Sequence, residues 1–518
     1  MYYIKKQLIF IFLFTISIAF SFSAQTQKGD NYYFNPIYGN FNISITAPQV
    51  KNGFIDDLLS KSIDKVNKNG GGIITIKNGN YKFKTGVFFK SNVHIHIESG
   101  VKFNMDATGV MFTAKSTTHG KPVSNFSIVG LGKKKSDSFT INFKYGNSEN
   151  ESKKNTFLKL GYTSNFKISN VRIKDSFTKI SSIVLSADVN FLSVAPYIAT
   201  KKNKKGKKLK SNNKNRRTNL INEVFGVPSK GIIENIHTEN ASYGYGVIQM
   251  QSGNNIVYRN LSGKGGVTLR LESGLNVNQL FRPVGSKPIY NINGFELPLT
   301  IDKQPKIDLV FANNISCENG HAAFTMSPHT VKQGSVFLSK IRTISCEAGG
   351  EVSKGFVNNF KREEKAGLAV SKFNIEKGSF SSNSSISDVI AVFGQYAQIK
   401  SKNFRYIPCE LRIDRGTEEV NVGLSIKNGL DFESRRGPSL FPFHYTAAAM
   451  KIGDGGYRVN MDVSTIIGKG FGSSVKVITI KGDYVCDKST NFTTKIRGKK
   501  KEKGKKLKKV KKDKKKKN

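Results

Sequence analysis

From residue 73 onward the chain is a long series of short runs in which apolar and polar positions alternate. Val93, Ile95 and Ile97 are interleaved with His94 and His96; Phe166 and Ile168, then Val171 and Ile173, then Ile232, Ile236, Ile256 and Leu261 continue the pattern. A period of two marks strands with one face buried. Asn or Gly punctuates the runs, so that apolar strand, corner and apolar strand recur in SNFKISNVRI, KGIIENIHTEN, GNNIVYRNLS, LVFANNISCENG and LSKIRTISCEAG. Ile-Ser-Cys-Glu occurs twice, at Ile315–Glu318 and Ile344–Glu347, a spacing in the range of about 20–30 residues typical of solenoid repeats. Asparagine suits the corners because it tolerates left-handed backbone angles and bonds its own backbone. Ahead of the strands, Ile55, Leu58, Leu59, Ile63 and Val66 fall at helical spacing, as expected of a helix closing the open end of a strand stack. The prediction is an all-β fold, a parallel β-helix (solenoid) with a short N-terminal capping helix and inserted loops. The loops are the two stretches that break the rhythm, about 186–230 and 275–305; insertions on one face of a solenoid usually form its binding walls.

Two neighbouring runs carry an unusual polar face. In YGYGVIQMQSGNNIVYRNLSGKGGVTLRLESG, aligning Ser252-Gly253 with Ser273-Gly274 sets Gln249 level with Arg270 and Gln251 level with Glu272. With Ile248, Met250, Leu269 and Leu271 directed inward, these four polar side chains share the outer face of two stacked strands. A carboxyl, two amides and a guanidinium on a rigid sheet suit binding and cutting of a sugar chain. His321 begins a run in phase with Ala323 and Thr325 and is expected on the same face.

Composition adds a partner class. The 518 residues carry 82 Lys and Arg against 37 Asp and Glu, a net charge of +45, which favours an acidic partner. Lysine is abundant throughout, but two clusters stand out, 201–217 and 497–518; both have too few apolar residues to offset the entropy of ordering and read as a disordered loop and tail. Without Trp or a nucleic-acid-binding module, an extracellular polyanion is the expected partner, with no nucleic acid and no stable membrane anchoring. The first residues, basic at Lys5 and Lys6, apolar from Leu8 to Phe22 and small at Ser21, Ser23 and Ala24, read as a secretory signal peptide. The domain layout is therefore 1–24 signal, 25–496 β-helix and 497–518 basic tail, in a secreted protein. The four cysteines are too scattered for a disulfide framework or a zinc site; Cys317 and Cys346 are expected in an interior ladder. His94 and His96, two apart on one outward face without an acidic or cysteine partner, read as exposed surface. Tyr243, Tyr245 and Tyr258 suit either sugar stacking or strand packing.

The GGVTLRLE run, the HAAFTM run within SCENGHAAFTMSPH, and the spacing from glutamine to glutamate resemble the iota-carrageenases, glycoside hydrolases that cut a sulfated galactan. The resemblance is close over about 231–356 and looser elsewhere. It implies a right-handed parallel β-helix with inverting chemistry, Glu272 as proton donor, Gln249 holding the attacking water, and His321 serving the substrate site. Arg270 and Gln251 join as substrate-binding candidates, with Arg270 suited to a sulfate. No cofactor is required for this chemistry; a structural calcium is left open, and no metal ligands are assigned. One departure matters: Gly274 stands where the family has an aspartate acting as general base. Glu318, Glu347 and Glu351 in later coils are then the carboxylates open for that role. Burial of Glu272 is expected to keep its proton available, and Arg270 to oppose this. The competing readings are a polysaccharide lyase on the same fold and a non-catalytic adhesin that binds anionic polysaccharide.

Overall fold

The computed structural model describes residues 26–116, 121–132, 137–144, 154–188, 226–273, 305–357, 377–400, 403, 406–407 and 436–480, with the backbone alone at 291–292, 295–296 and 434–435. The expected signal segment, the basic loop, most of the second insertion, Gly274 and the tail lie outside the described residues.

The alternating runs form coils that stack in register as a parallel β-helix. A 24-stranded sheet runs through the whole stack, and successive coils pair in parallel, as Ile168 does with Ile233, Ile233 with Tyr258 and Tyr258 with Ala312. Each full coil contributes three legs. The first sheet includes Val93–Ile97, the second Phe139–Phe143, and the third Ile183–Leu185. Through the central coils, where corners are tight, single strands such as Ser229–Met250 and Gly253–Glu272 run through all three legs.

Like side chains stack inside because every coil presents the same inward parity. In the first sheet the interior row reads Ile74, Ile95, Ile128, Ile168, Ile233, Tyr258, Ala312 and Leu338. Tyr258 is thus a core residue, fully buried, and contacts no sugar. Burial pushes its phenol well up, and its hydroxyl donates to Met250 Sδ at 3.3 Å. Phenylalanines fill the N-terminal coils: Phe83 packs edge-on against Phe103 and Phe112, and Phe126 stacks on Phe166. Cys317 stands in the interior row of the second sheet between Gly263 and Thr343, and both Cys317 and Cys346 are buried free thiols.

The corners behave as their asparagines require. Asn170, Asn235, Asn260 and Asn314 all take positive φ between 53° and 60°. Their amides form a continuous ladder, each donating to the preceding one at 2.8–2.9 Å from Asn314 back to Asn170. Lys230 and Leu309 occupy the equivalent of Asn255 at the other corner, and both still adopt positive φ. The fold holds the angle there without the amide.

The helix Asp56–Lys68 closes the N-terminal end with Leu59, Ile63 and Val66 fully buried, as its spacing predicted. The segment before it was not anticipated. Residues 30–38 run across the outer face of the first sheet, where Asn35 N–H donates to Asn165 Oδ1 at 2.8 Å and Ile37 N–H to Asn125 Oδ1 at 3.0 Å. Arg259 ties down Asp30 at 2.7 Å. This cover corrects the reading of His94 as surface: the ring is fully buried, 4.6 Å from that of Tyr38, with Nδ1 3.0 Å from Ser127 Oγ. Burial lowers its pKa to about 4. Among the described residues no helix is long and apolar enough to cross a membrane.

Candidate functional site

Strand parity builds the site. On the outer face of the third sheet one row runs coil by coil through Val184, Gln249, Arg270, Thr325, Glu351 and His444. Gln249 pairs with Arg270 as the sequence alignment required, while Ile248, Met250, Leu269 and Leu271 are fully buried behind them. Glu272 lies two residues beyond Arg270 on the same face, opposite Ser327. The leg is launched from a tight turn, with Gly265 and Gly266 at φ 82° and 65°. A Cβ on Gly266 would meet Tyr245 O at 1.7 Å, so glycine is obligatory there. Gln251 is half-buried past the end of the paired run, its N–H donating to Leu185 O at 2.7 Å.

Glu272 is held from two sides. Oε1 lies 2.8 Å from His329 Nε2, and Oε2 is ion-paired to Arg270 Nε. Arg270 in turn donates to Gly244 O at 2.7 Å, and its guanidinium lies 5.3 Å from the Tyr245 ring centroid. Burial pushes the Glu272 carboxyl up, as expected, but the charge of Arg270 and the hydrogen bond and charge of His329 outweigh it and hold the pKa at about 2. The expectation that burial keeps this carboxyl protonated is therefore corrected: burial is the largest single effect, but Arg270 and His329 together exceed it, and Glu272 is an anion at neutral pH.

His321 occupies a separate, tighter cluster. It is 5% exposed, with Nδ1 3.0 Å from Glu347 Oε2 and Nε2 2.9 Å from Glu351 Oε2. Burial opposes the imidazolium, but Glu347 and then Glu351 raise its pKa to about 9. Tyr243 packs edge-on against the ring at 4.9 Å. The segment Ala397–Lys400, paired antiparallel with Ser434–Gly437, braces this region. The buried Gln398 side chain accepts from Gly266 N–H at 2.6 Å and donates to Ala241 O at 3.0 Å.

The three carboxylates left open separate clearly. Glu318 lies on the second sheet, half-exposed and paired with Lys264 at 3.2 Å. Glu347 is fully buried and also takes hydrogen bonds from Asn403 and from Lys400 N–H. Glu351 alone of the three shares the row of Arg270, two coils on, and its other oxygen accepts from Ser353 Oγ at 2.6 Å.

His329 is the residue that the strand pattern missed. It sits just past the end of Ala322–Ser327, after Pro328, at φ 52°, and periodicity carries no information beyond a proline-bounded strand end. A cavity of about 330 Å³ lies elsewhere, on the second sheet against Asn170, Arg172, Asn235, His237 and Asn260. It follows from the corner ladder and contains none of the candidate residues. Among the described residues, no group of His, Cys, Asp and Glu is arranged to hold a metal ion.

The chain is 31% identical over 343 residues to an iota-carrageenase of Alteromonas macleodii and 30% identical over 319 residues to one of Zobellia galactanivorans. These matches take in 65% and 59% of this chain but only 57% and 51% of those proteins, so the chain spans little more than half the length of the curated relatives. Among solved structures, a 1,3-α-1,4-β-D-galactose-4-sulfate-3,6-anhydro-D-galactose-2-sulfate 4 galactohydrolase has a TM-score of 0.66 at 25% identity, covering 90% of this chain and 97% of that one. An iota-carrageenase of family GH82 from A. fortis has a TM-score of 0.67 at 23% identity over 91% of this chain and 96% of its own, and shares the fold. No protein-family model matches the chain.

Proposed function

We propose that this protein is an exported glycoside hydrolase that cleaves β-1,4 linkages of a sulfated galactan, iota-carrageenan above all, with inversion. The observation that carries the reading is Glu272, clamped between Arg270 and His329 on the outer sheet face beside Gln249, in a chain similar along most of its length to iota-carrageenases. Glu272 is the proton donor to the leaving oxygen, and the Gln249 amide orients the attacking water. Arg270, with Gln251, engages the substrate, and His321 fixes the adjoining wall. A sulfate drawn to Arg270 competes with Glu272 for the guanidinium, so substrate binding raises the proton affinity of the acid. The chemistry needs no cofactor, and the polyanionic substrate matches the charge of +45. Export by the N-terminal segment belongs to the same proposal and is checked by the N-terminal sequence of protein recovered outside the cell.

The deciding experiment is a reducing-end assay on carrageenans, agar and pectin with wild type and Glu272→Gln. Iota-carrageenan is expected to be cut, and the variant to lose about 10²–10⁴ in rate with unchanged thermal unfolding. Normal activity in Glu272→Gln would remove the central assignment. Gly274, standing where related enzymes are expected to have a base, favours a second reading of binding without cleavage; retained substrate binding with no new reducing ends would establish it. Unsaturated products detected by absorbance would instead indicate a lyase.

A further inference from the structure

His329 is built into the site more firmly than a surface histidine needs to be. Its side chain is 12% exposed, and its ring lies 4.5 Å from that of Phe356. Its carbonyl accepts from both Phe356 N–H at 3.0 Å and Gly378 N–H at 2.7 Å. A non-glycine residue at φ 52° carries a steric cost, and here the conformation directs Nε2 at Oε1 of Glu272, 2.8 Å away. The charged groups on the elements packed around it are Arg270 and Glu272 on the strand Gly253–Glu272, Glu351 and Lys354 on the following leg, and Lys377, ion-paired with Asp454, beside Gly378. Among the described residues, Glu272 is the charged group in ion-pair contact with the imidazole.

We propose that His329 shares the catalytic proton with Glu272, so that the acid of this site is a two-residue unit. The inference rests on the hydrolase reading above and supplies what that reading lacks, a proton source for a carboxyl that its neighbours keep ionised. A carboxylate beside an imidazolium and a carboxylic acid beside a neutral imidazole are the same protonation state of the pair, differing only in where one proton sits. In the reaction, the proton passes from His329 Nε2 to the Glu272 carboxylate and from the carboxyl to the glycosidic oxygen as its bond to the anomeric carbon breaks. Water forms the new bond to that carbon and gives its spare proton to solvent. Neutral His329 then takes a proton back from solvent, so the cycle consumes one water and nothing else. His329 acts through Glu272 and is a positioning and proton-supplying residue.

The alkaline limb of the rate profile then belongs to the pair, well above the pKa of Glu272 alone. The test is kcat/KM on iota-carrageenan from pH 4 to 10 for wild type and His329→Gln, whose amide can still donate to Oε1 but cannot carry the proton. Expected is a loss of about 10²-fold near pH 7, with activity recovering toward acid pH as the limb moves down. A uniform loss at every pH with the limb unmoved would overturn the proposal and leave His329 a structural support. Should His329→Gln fail to fold, an NMR titration of labelled histidines in wild type and Glu272→Gln decides the coupling. A fall in the His329 midpoint on removing the carboxylate supports the shared proton; an unchanged midpoint refutes it. Absence of hydrolysis by wild type would instead defeat the hydrolase reading on which this inference depends.

Discussion

His321 and Glu272 illustrate how one fold sets two ionisable groups in opposite directions. Both are buried, which disfavours charge, yet each is an ion because its partners outweigh burial. For His321 the consequence is a pH window of stability. Its folded pKa of about 9 exceeds the ordinary value of 6.5, so the stabilisation is fully present below pH 6.5 and is lost as pH rises to about 9. The shift corresponds to something on the order of 3 kcal/mol. His321→Gln is expected to be markedly less stable than wild type in denaturant at pH 6, with the gap narrowing by pH 9.5. A gap independent of pH would mean that Glu347 and Glu351 do not hold a charged ring. The Glu272 carboxyl, depressed to about 2, works in the other direction: its contribution is present above about pH 4.5 and fades as pH falls toward 2.

Corners reinforce the register that the paired strands set. Each asparagine of the Asn170–Asn314 ladder combines a left-handed angle with an amide bonded to the next coil. Substitution separates the two contributions. Asn260→Gly keeps the angle easily and loses the amide bonds, about 1 kcal/mol each, whereas Asn260→Ala also carries about 1–2 kcal/mol for the left-handed backbone. Chemical denaturation should therefore rank wild type above Asn260→Gly and Asn260→Gly above Asn260→Ala; equal stabilities for the two variants would show that the angle contributes nothing. The corners and the parity of Val247–Met250 and Val267–Glu272 were legible in the sequence because both follow from local backbone geometry. The bracing segment Ala397–Lys400 was not, since its partner lies at Ser434–Gly437, beyond the reach of any periodicity.

Across the molecule, charge and cover matter more than any single contact. On the function proposed above, a protein of net charge +45 grips its sulfated polymer through interactions screened over about 10 Å at 0.1 M salt and about 3 Å at 1 M. Raising salt from 0.05 to 0.5 M is expected to increase KM for the polysaccharide severalfold while leaving thermal unfolding little changed, because the hydrophobic interior is not screened. An unchanged KM would place the basic excess outside substrate recognition. The segment 30–38 and the helix Asp56–Lys68 shield different parts of the stack, the first a lateral face and the second an open end. The helix announced itself through its 3.6-residue spacing. The lateral cover did not, since a short irregular segment bound through asparagine amides has no repeat to read.

Period-two alternation and asparagine corners were enough to establish the coil architecture, the inward rows and the shared face of Gln249, Arg270 and Glu272, because backbone geometry alone dictates which way successive side chains point. The protonation state of Glu272, the enclosure of His321 between Glu347 and Glu351, the burial of His94 and the approach of His329 required the folded chain. Each depends on groups distant along the sequence meeting at ion-pair, hydrogen-bond or packing distance, and a pKa is the sum over such neighbours rather than a property of the residue that carries it.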